Sequence, residues 1–299
     1  MKSRRFLRAI TALLAGALAT VLLRAQASLY GSDDFNDNTF ASGRWSSFGT
    51  ANGGLWTETN GRFEFTADST STAITTANRA QQFRVWSSTT SGNSSYTDSW
   101  AATMTFTLDK TAVASNGASL IGFETFMAGT ASGYYGLYLQ YATSGGRIFA
   151  EQGVYNGSGY TRTTLGSTGN LDNTFDATEV LLKIAYNGST STFTSGFSFD
   201  AGSTFYTFGT WTGTGHFGGL ASGATANWAV TPTTGFGLEL YGALYGDGSS
   251  AGPTLVSGQA HADNLAVSAV PEPATYAAFA GLGALGLVWW RRRQLNAAA

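Results

Sequence analysis

The strongest constraint in this sequence is its alternation. In "WAATMTFTL" (residues 100–108), Trp100, Ala102, Met104, Phe106 and Leu108 fall on one face, and Thr103, Thr105 and Thr107 share the other with Ala101. "YYGLYLQY" groups Tyr135, Leu137, Leu139 and Tyr141. "EVLLKIAYNG" groups Val180, Leu182, Ile184 and Tyr186 and ends in Asn187-Gly188, a strong hairpin-turn signal. A period of two belongs to strands with one buried face. "RFEF", "FRVW", "GFETFM", "RIFA", "FGLEL" and "NLAV" add short runs, punctuated by glycine, serine, asparagine and aspartate. No stretch of residues 60–268 carries a helical period over ten residues. The expected fold class is therefore all-β, a sandwich or barrel without crossover helices.

Composition narrows the function classes. There is no cysteine, which removes disulfides and thiolate metal sites. A body of this length buries about 70% of its unfolded surface and needs no cross-links. The net charge of -2 hides a split: residues 28–270 hold eight basic residues against seventeen acids, a charge of -9. Nucleic acid is excluded as a partner, because phosphate binding needs a basic footprint.

Both ends are addresses. A basic head precedes an apolar run from Ala9 to Leu23, and Ala25-Gln26-Ala27 gives the small-x-small pattern of a signal-peptidase site, so residues 1–27 read as a signal peptide. At the other end, residues 274–290 form an uncharged run whose helix spans about 25 Å, followed by Arg291, Arg292 and Arg293. Trp289 and Trp290 stand where an interfacial aromatic belt lies, and the arginines form a cytoplasmic basic tail by the positive-inside rule, which places the body outside. The motif Pro271-Glu272-Pro273, this transmembrane helix and the tail together resemble the PEP-CTERM sorting signal of bacterial exported proteins, over residues 270–294. The resemblance implies recognition by an exosortase, a membrane-embedded cysteine protease, after anchorage in the inner membrane, and delivery to the cell surface or extracellular matrix. Two prolines hold the motif extended for recognition.

The body, residues 28–269, opens with "DDFNDNTFASGRWSSF" and "GLWTETNGRFEF" and closes with "HADNLAVSAV". This order resembles concanavalin A-like, laminin-G-like jelly-roll β-sandwiches, in which the first and last strands lie side by side. Two smaller sandwiches, divided near Gly166–Thr174, are the alternative; one domain is preferred because no Pro-rich or charged linker intervenes. Residues 212–235 read as a long loop.

Catalytic arrangements are absent from the pattern. His216 and His261 are isolated, which disfavours zinc. There is no H-E-x-x-H and no G-x-S-x-G. The glycine matches "GLGALG" and "GTGHFG" lack the strand–helix context of a dinucleotide site. The E-x-D-x-x-E strand of related glucanases is missing, so no catalytic residue is assigned. Glu124 and Glu239 alternate with large apolar residues and are expected on a solvated sheet face, with nothing in the sequence to bring them together. If the terminal strands are neighbours, Asp33, Asp34, Asp37, Asp263 and Asn264 (with Asn38) converge on a structural calcium; otherwise they cap their own loops as Asx turns. Trp45, Trp56, Arg84 and Trp86 are the candidate glycan-stacking residues. Arg84 and Trp86 fall opposite Phe83 and Val85, and Tyr134, Tyr138 and Trp228 are further aromatics expected to be partly exposed; the structural alternative for each aromatic is core packing.

The leading expectation is a non-catalytic exported sandwich that binds extracellular polysaccharide or serves as a structural component. A polysaccharide-active hydrolase or lyase on the same fold comes second. An ice- or surface-binding adhesin, which needs a flat threonine array longer than "TSTAITT" or "TMTFT", comes third.

Overall fold

The computed structural model describes residues 31–39, 45–67, 79–86, 94–95, 98–109, 117–127, 133–142, 145–155, 160–168, 179–190, 192–212, 235–246, 254–270, 281–291 and 294. The signal peptide, Pro271, Glu272, Pro273, Arg292, Arg293, His216 and Trp228 lie outside them.

Sixteen strands occur among the described residues: β1 (Gly31–Asp33), β2 (Trp45–Ala51), β3 (Gly54–Thr59), β4 (Arg62–Ala67), β5 (Ala80–Trp86), β6 (Ser94–Ser95), β7 (Trp100–Leu108), β8 (Ala118–Met127), β9 (Gly133–Ala142), β10 (Gly145–Tyr155), β11 (Tyr160–Ser167), β12 (Val180–Asn187), β13 (Thr192–Ser198), β14 (Tyr206–Thr212), β15 (Gly235–Tyr245) and β16 (Ala260–Ala269). They form two eight-stranded antiparallel sheets. Sheet A has the order β14-β13-β12-β7-β16-β4-β3, with β1 beside β16; sheet B has the order β11-β10-β9-β8-β15-β5-β2, with β6 beside β15. Strands from before and after residues 166–174 share each sheet, so the topology does not divide there.

The inner faces carry the alternating residues read from the sequence. Trp100, Ala102, Met104, Phe106 and Leu108 meet Ile121, Phe123, Leu137 and Leu139 in one buried cluster. Phe106 stacks on Phe123 across the two sheets with 5.9 Å between centroids. Where β3 faces β5, the buried Gln82 side chain clamps the layers: its Oε1 accepts from Trp56 N at 2.6 Å, and its carbonyl accepts from Trp56 Nε1 at 3.2 Å.

Local chemistry sets the connections. Asn60-Gly61, both with positive φ, close the two-residue turn between β3 and β4. Asn187 ends β12 as expected, but the connection is longer than two residues: its Oδ1 accepts from Ser189 N and Thr190 N as an Asx turn. The first and last strands are neighbours, with Asp33 opposite Leu265. Asn264, at φ 55°, marks a bulge where the register of β16 against β7 shifts.

The three tryptophans expected at the surface are interior: Trp45 is 8%, Trp56 0% and Trp86 2% exposed. Alternation fixes a strand's period but not which face is buried. In β5, Gln82, Arg84 and Trp86 point inward and Gln81, Phe83 and Val85 outward, the reverse of the expectation, because Trp86 gains an edge-on contact with Trp45 at 5.0 Å. Arg84 donates its Nη2 to the Trp56 carbonyl at 2.9 Å.

Residues 281–291, ending at Arg291, are helical. No helix among the described residues is long and apolar enough to cross a membrane; most of the expected span's first half, 274–280, lies outside them.

Phe106→Ala should cost about 3–5 kcal/mol of stability by emptying the contact between the sheets, read as a lower midpoint in denaturant titration.

Candidate functional site on the outer face of sheet B

The register of sheet B lays its outward residues in rows across the strands. One row runs Arg147, Gln140, Leu120, Ala243, Gln81, and the next Phe149, Tyr138, Gly122, Tyr241, Phe83. The third runs Glu151, Gly136, Glu124, Glu239, Val85, and the fourth Gly153, Tyr134, Phe126, Gly237. Aromatic residues thus flank an acidic row on both sides. Leu120, Tyr134, Tyr138, Phe149, Tyr241 and Ala243 form a second buried cluster, with Phe83, Phe126 and Tyr245 partly exposed against it.

Glycines let these rings lie along the sheet. A Cβ at Gly136 would stand 2.1 Å from the Tyr138 hydroxyl, and one at Gly153 would stand 2.0 Å from the Tyr134 ring. Lying flat, Tyr138 donates its hydroxyl to Glu124 Oε1 at 2.5 Å, and Tyr134 donates to Glu151 Oε1 at 2.5 Å. Phe83 stacks on Tyr241 at 4.5 Å.

Glu124 and Glu239 are directly opposed residues of β8 and β15. They do point away from the main core, as expected, but they are not a solvated pair. Glu124 is 4% exposed, while Glu239 keeps partial access to solvent. Burial, partly offset by the Tyr138 hydrogen bond, raises the Glu124 carboxyl; burial and the facing Glu124 charge raise Glu239 well above the usual carboxylate range. The two side chains are hydrogen-bonded to each other, and burial together with their mutual repulsion favours protonation of the pair. Buried carboxyl pairs cost stability and are concentrated at functional sites. No spacing in the sequence marks this pair; its only trace is an acid set among glycine and large apolar residues in the middle of two strands.

The N-terminal acids settle differently. Asp33 accepts from Phe35 N at 3.0 Å and Trp45 Nε1 at 2.8 Å, Asp37 from Thr39 N at 3.0 Å, and Asp263 from Asn264 N at 2.7 Å. Asp34 accepts a long bond from Asn36 N, 3.4 Å. Asn264 occupies the bulge, and Asn38 Oδ1 accepts from Gly61 N at 2.8 Å. Among the described residues no three acidic or histidine side chains group to hold a metal ion. Asp33, Asp34 and Asp37 each accept from the backbone N–H two residues on, as in the Asx-turn alternative. A buried acid absent from that set, Glu58, is 5% exposed and faces Asp37, with no donor in hydrogen-bond geometry to either oxygen. Burial first, then the Asp37 contact and the charges of Asp33 and Asp37, push it up to about 7. Glu64, equally buried, differs because Arg62 Nε (2.8 Å), Asn60 Nδ2 (3.1 Å) and Gly258 N (3.1 Å) all donate to it.

Because the folded chain keeps the Glu58 proton after the unfolded chain has lost its own, stability falls as pH rises from about 4.5 to about 7. Glu58→Gln should remove this loss: thermal unfolding should show the variant more stable than the parent above pH 7 and equal to it below pH 4.5. Parent unfolding midpoints in calcium and in chelator should coincide.

Residues 269–293 match the PEP-CTERM protein-sorting motif. No curated protein sequence matches the chain. Among solved structures, the CBM2 module of the evolved Dit of Lactobacillus casei BL23 phage J-1 matches with TM-score 0.50 at 11% identity, covering 83% of this chain and 98% of that one. An endo-1,3-beta-glucanase from Streptomyces sioyaensis matches with TM-score 0.49 at 13% identity, covering 82% and 97%. Lectin II from Ulex europaeus matches with TM-score 0.42 at 10% identity, covering 82% and 100%. At 11% identity the first is a likeness of fold alone. The chain carries a PEP-CTERM protein-sorting motif, the mark of an exported protein, behind an all-β sandwich of two sheets.

Proposed function

We propose that this is a cell-surface or extracellular-matrix protein whose sandwich binds glycan, without cleaving it, on the outer face of sheet B. The observation that carries the reading is the partly exposed Glu239, paired with the buried Glu124 and flanked by the partly exposed rings of Phe83 and Phe126. Exposed rings with a few convergent polar groups are what a sugar chain requires: ring faces for its C–H surfaces and donors and acceptors for its hydroxyls. A carboxyl pair that keeps one proton offers both a donor and an acceptor. The tail supplies the route: signal peptidase removes residues 1–27, the membrane holds residues 274–290, and exosortase processes the chain near Pro271-Glu272-Pro273.

The spacing of Glu124 and Glu239 favours binding over hydrolysis. Their carboxyls touch, whereas retaining and inverting pairs stand about 5–5.5 Å and 6.5–9.5 Å apart. A second reading, polysaccharide cleavage, draws on Glu124 and Glu151, which lie on strands two apart, about 9.6 Å between backbones, and could admit water between them. The adhesin reading draws on Thr103 and Thr105, which face out of sheet A, but Lys183 and Asp263 stand opposite them and break the array.

Two tests follow from these assignments. Glu272→Ala should leave the protein uncut in the membrane fraction, seen by fractionation and immunoblotting. On a glycan array, Phe83→Ala and Glu239→Gln should each weaken binding about tenfold, and binding by the parent should fade as pH rises and the shared proton is lost. Reducing-end release that disappears in Glu151→Gln would replace binding with cleavage.

A further inference from the structure

We infer that the outer face of sheet B takes an acidic glycan, a polymer whose sugars carry carboxylates, and that Arg79, Arg147 and Arg162 anchor it. The inference deepens the proposed glycan-binding function and rests on it.

Residues 28–270 carry only eight basic side chains against seventeen acids, yet three of the eight stand on this one face. Each is braced. The Arg147 guanidinium lies 4.5 Å from the Phe149 ring centroid, and its Nε donates to Gln140 Oε1 at 2.5 Å. Arg79 lies 5.5 Å from the Tyr241 ring and 5.6 Å from the Tyr245 ring; its Nε donates to Gln81 Oε1 and its Nη1 makes a long bond to the Tyr245 hydroxyl, 3.4 Å, which leaves one N–H of Nη1 and both of Nη2. Arg162, on edge strand β11, has 40% of its side chain exposed and approaches Glu151 Oε1 at 3.9 Å. A guanidinium has five N–H donors in a rigid fork, so a brace at Nε leaves the terminal edge to meet a carboxylate with two parallel bonds. All three are arginines, the side chain suited to bidentate and stacked contacts; Lys183 lies on the other sheet, on β12.

The charge of the face agrees. Burial and mutual repulsion favour protonation of the Glu124–Glu239 pair, which lowers its negative charge beside the three arginines. Three cations gathered on one face of a body of -9 steer an acidic polymer to it and away from the remaining surface. The arginines also set the ligand's size. Arg79 adjoins β5 and Arg147 lies on β10, four strand steps apart, about 19 Å. One sugar ring cannot reach both; an oligomer running across the strands can.

The test titrates the full chain, purified in detergent, with size-matched oligogalacturonate, oligomannuronate and neutral gluco- and galacto-oligosaccharides by calorimetry. Acidic oligomers should bind more tightly than neutral ones and weaken as salt rises. Arg147→Gln and Arg79→Gln should each lower acidic-oligomer affinity about tenfold, as loss of a charged hydrogen-bonded contact does. Arg147→Lys, which keeps the charge but loses the fork, should recover only part of it, and unchanged unfolding midpoints show that the variants fold. Neutral oligomers binding as tightly as acidic ones, or arginine variants that bind acidic oligomers like the parent, would overturn the inference and leave glycan binding standing. Binding of neither class would overturn both.

Discussion

Directly opposed residues of an antiparallel pair hold their Cβ atoms about 4.5–5.5 Å apart, and two carboxylates there, shielded from water, cannot both be charged. Glu124 and Glu239 are opposed in this way, and the rest of the outer face follows from it. One proton must stay. Tyr138 occupies an oxygen of the deeper acid, so the shallower Glu239 is the member that meets solvent. Retaining a proton lowers the negative charge of the pair beside the three arginines. Full ionisation would set three acids against three arginines and cancel their excess.

The chemistry is delivered by packing. On a sheet face side chains ordinarily stand up from the backbone, and a row of upright tyrosines would present edges. Gly136 and Gly153 remove the Cβ atoms that would hold Tyr138 and Tyr134 upright, so their phenols reach along the sheet to acids on neighbouring strands. Gly237 does the same beneath the Phe126 ring, where a Cβ would stand 2.4 Å from the ring. Small residues at these points therefore have a specific consequence: they lay Tyr134, Tyr138 and Phe126 along the sheet and place the two tyrosine hydroxyls on carboxylates.

What could be read from the sequence divides along the same physical lines. Strands β7 and β12 place their large apolar residues on the buried side, and their inner faces were legible residue by residue; β9 also turned Tyr135, Leu137, Leu139 and Tyr141 inward as read, although its other face buries Tyr134 and Tyr138 too. Strand β5 has large side chains on both faces, so period alone could not tell that Trp86 turns inward and Phe83 outward. The adjacency of the terminal strands was legible from the order of landmarks, whereas the capture of the aspartate oxygens by Asx turns depends on loop geometry that composition does not carry. The Glu124–Glu239 contact was not legible, because the two acids are far apart in the chain and meet only through the β8–β15 register. The sorting motif was legible because it is a linear signal that needs no fold.

The topology also separates the two tasks of the chain. Strand β16, which leads into the sorting segment, lies inside sheet A, and β1 pairs beside it, so both ends of the sandwich leave from sheet A. The aromatic and acidic rows lie on the far side of sheet B, with the buried core between them and the terminal strands. The described chain therefore enters at β1 and leaves at β16 on the sheet away from these rows. Under the proposed function, a protein held through its C-terminal segment keeps sheet B turned toward a polymer, and cutting that segment leaves the proposed site intact.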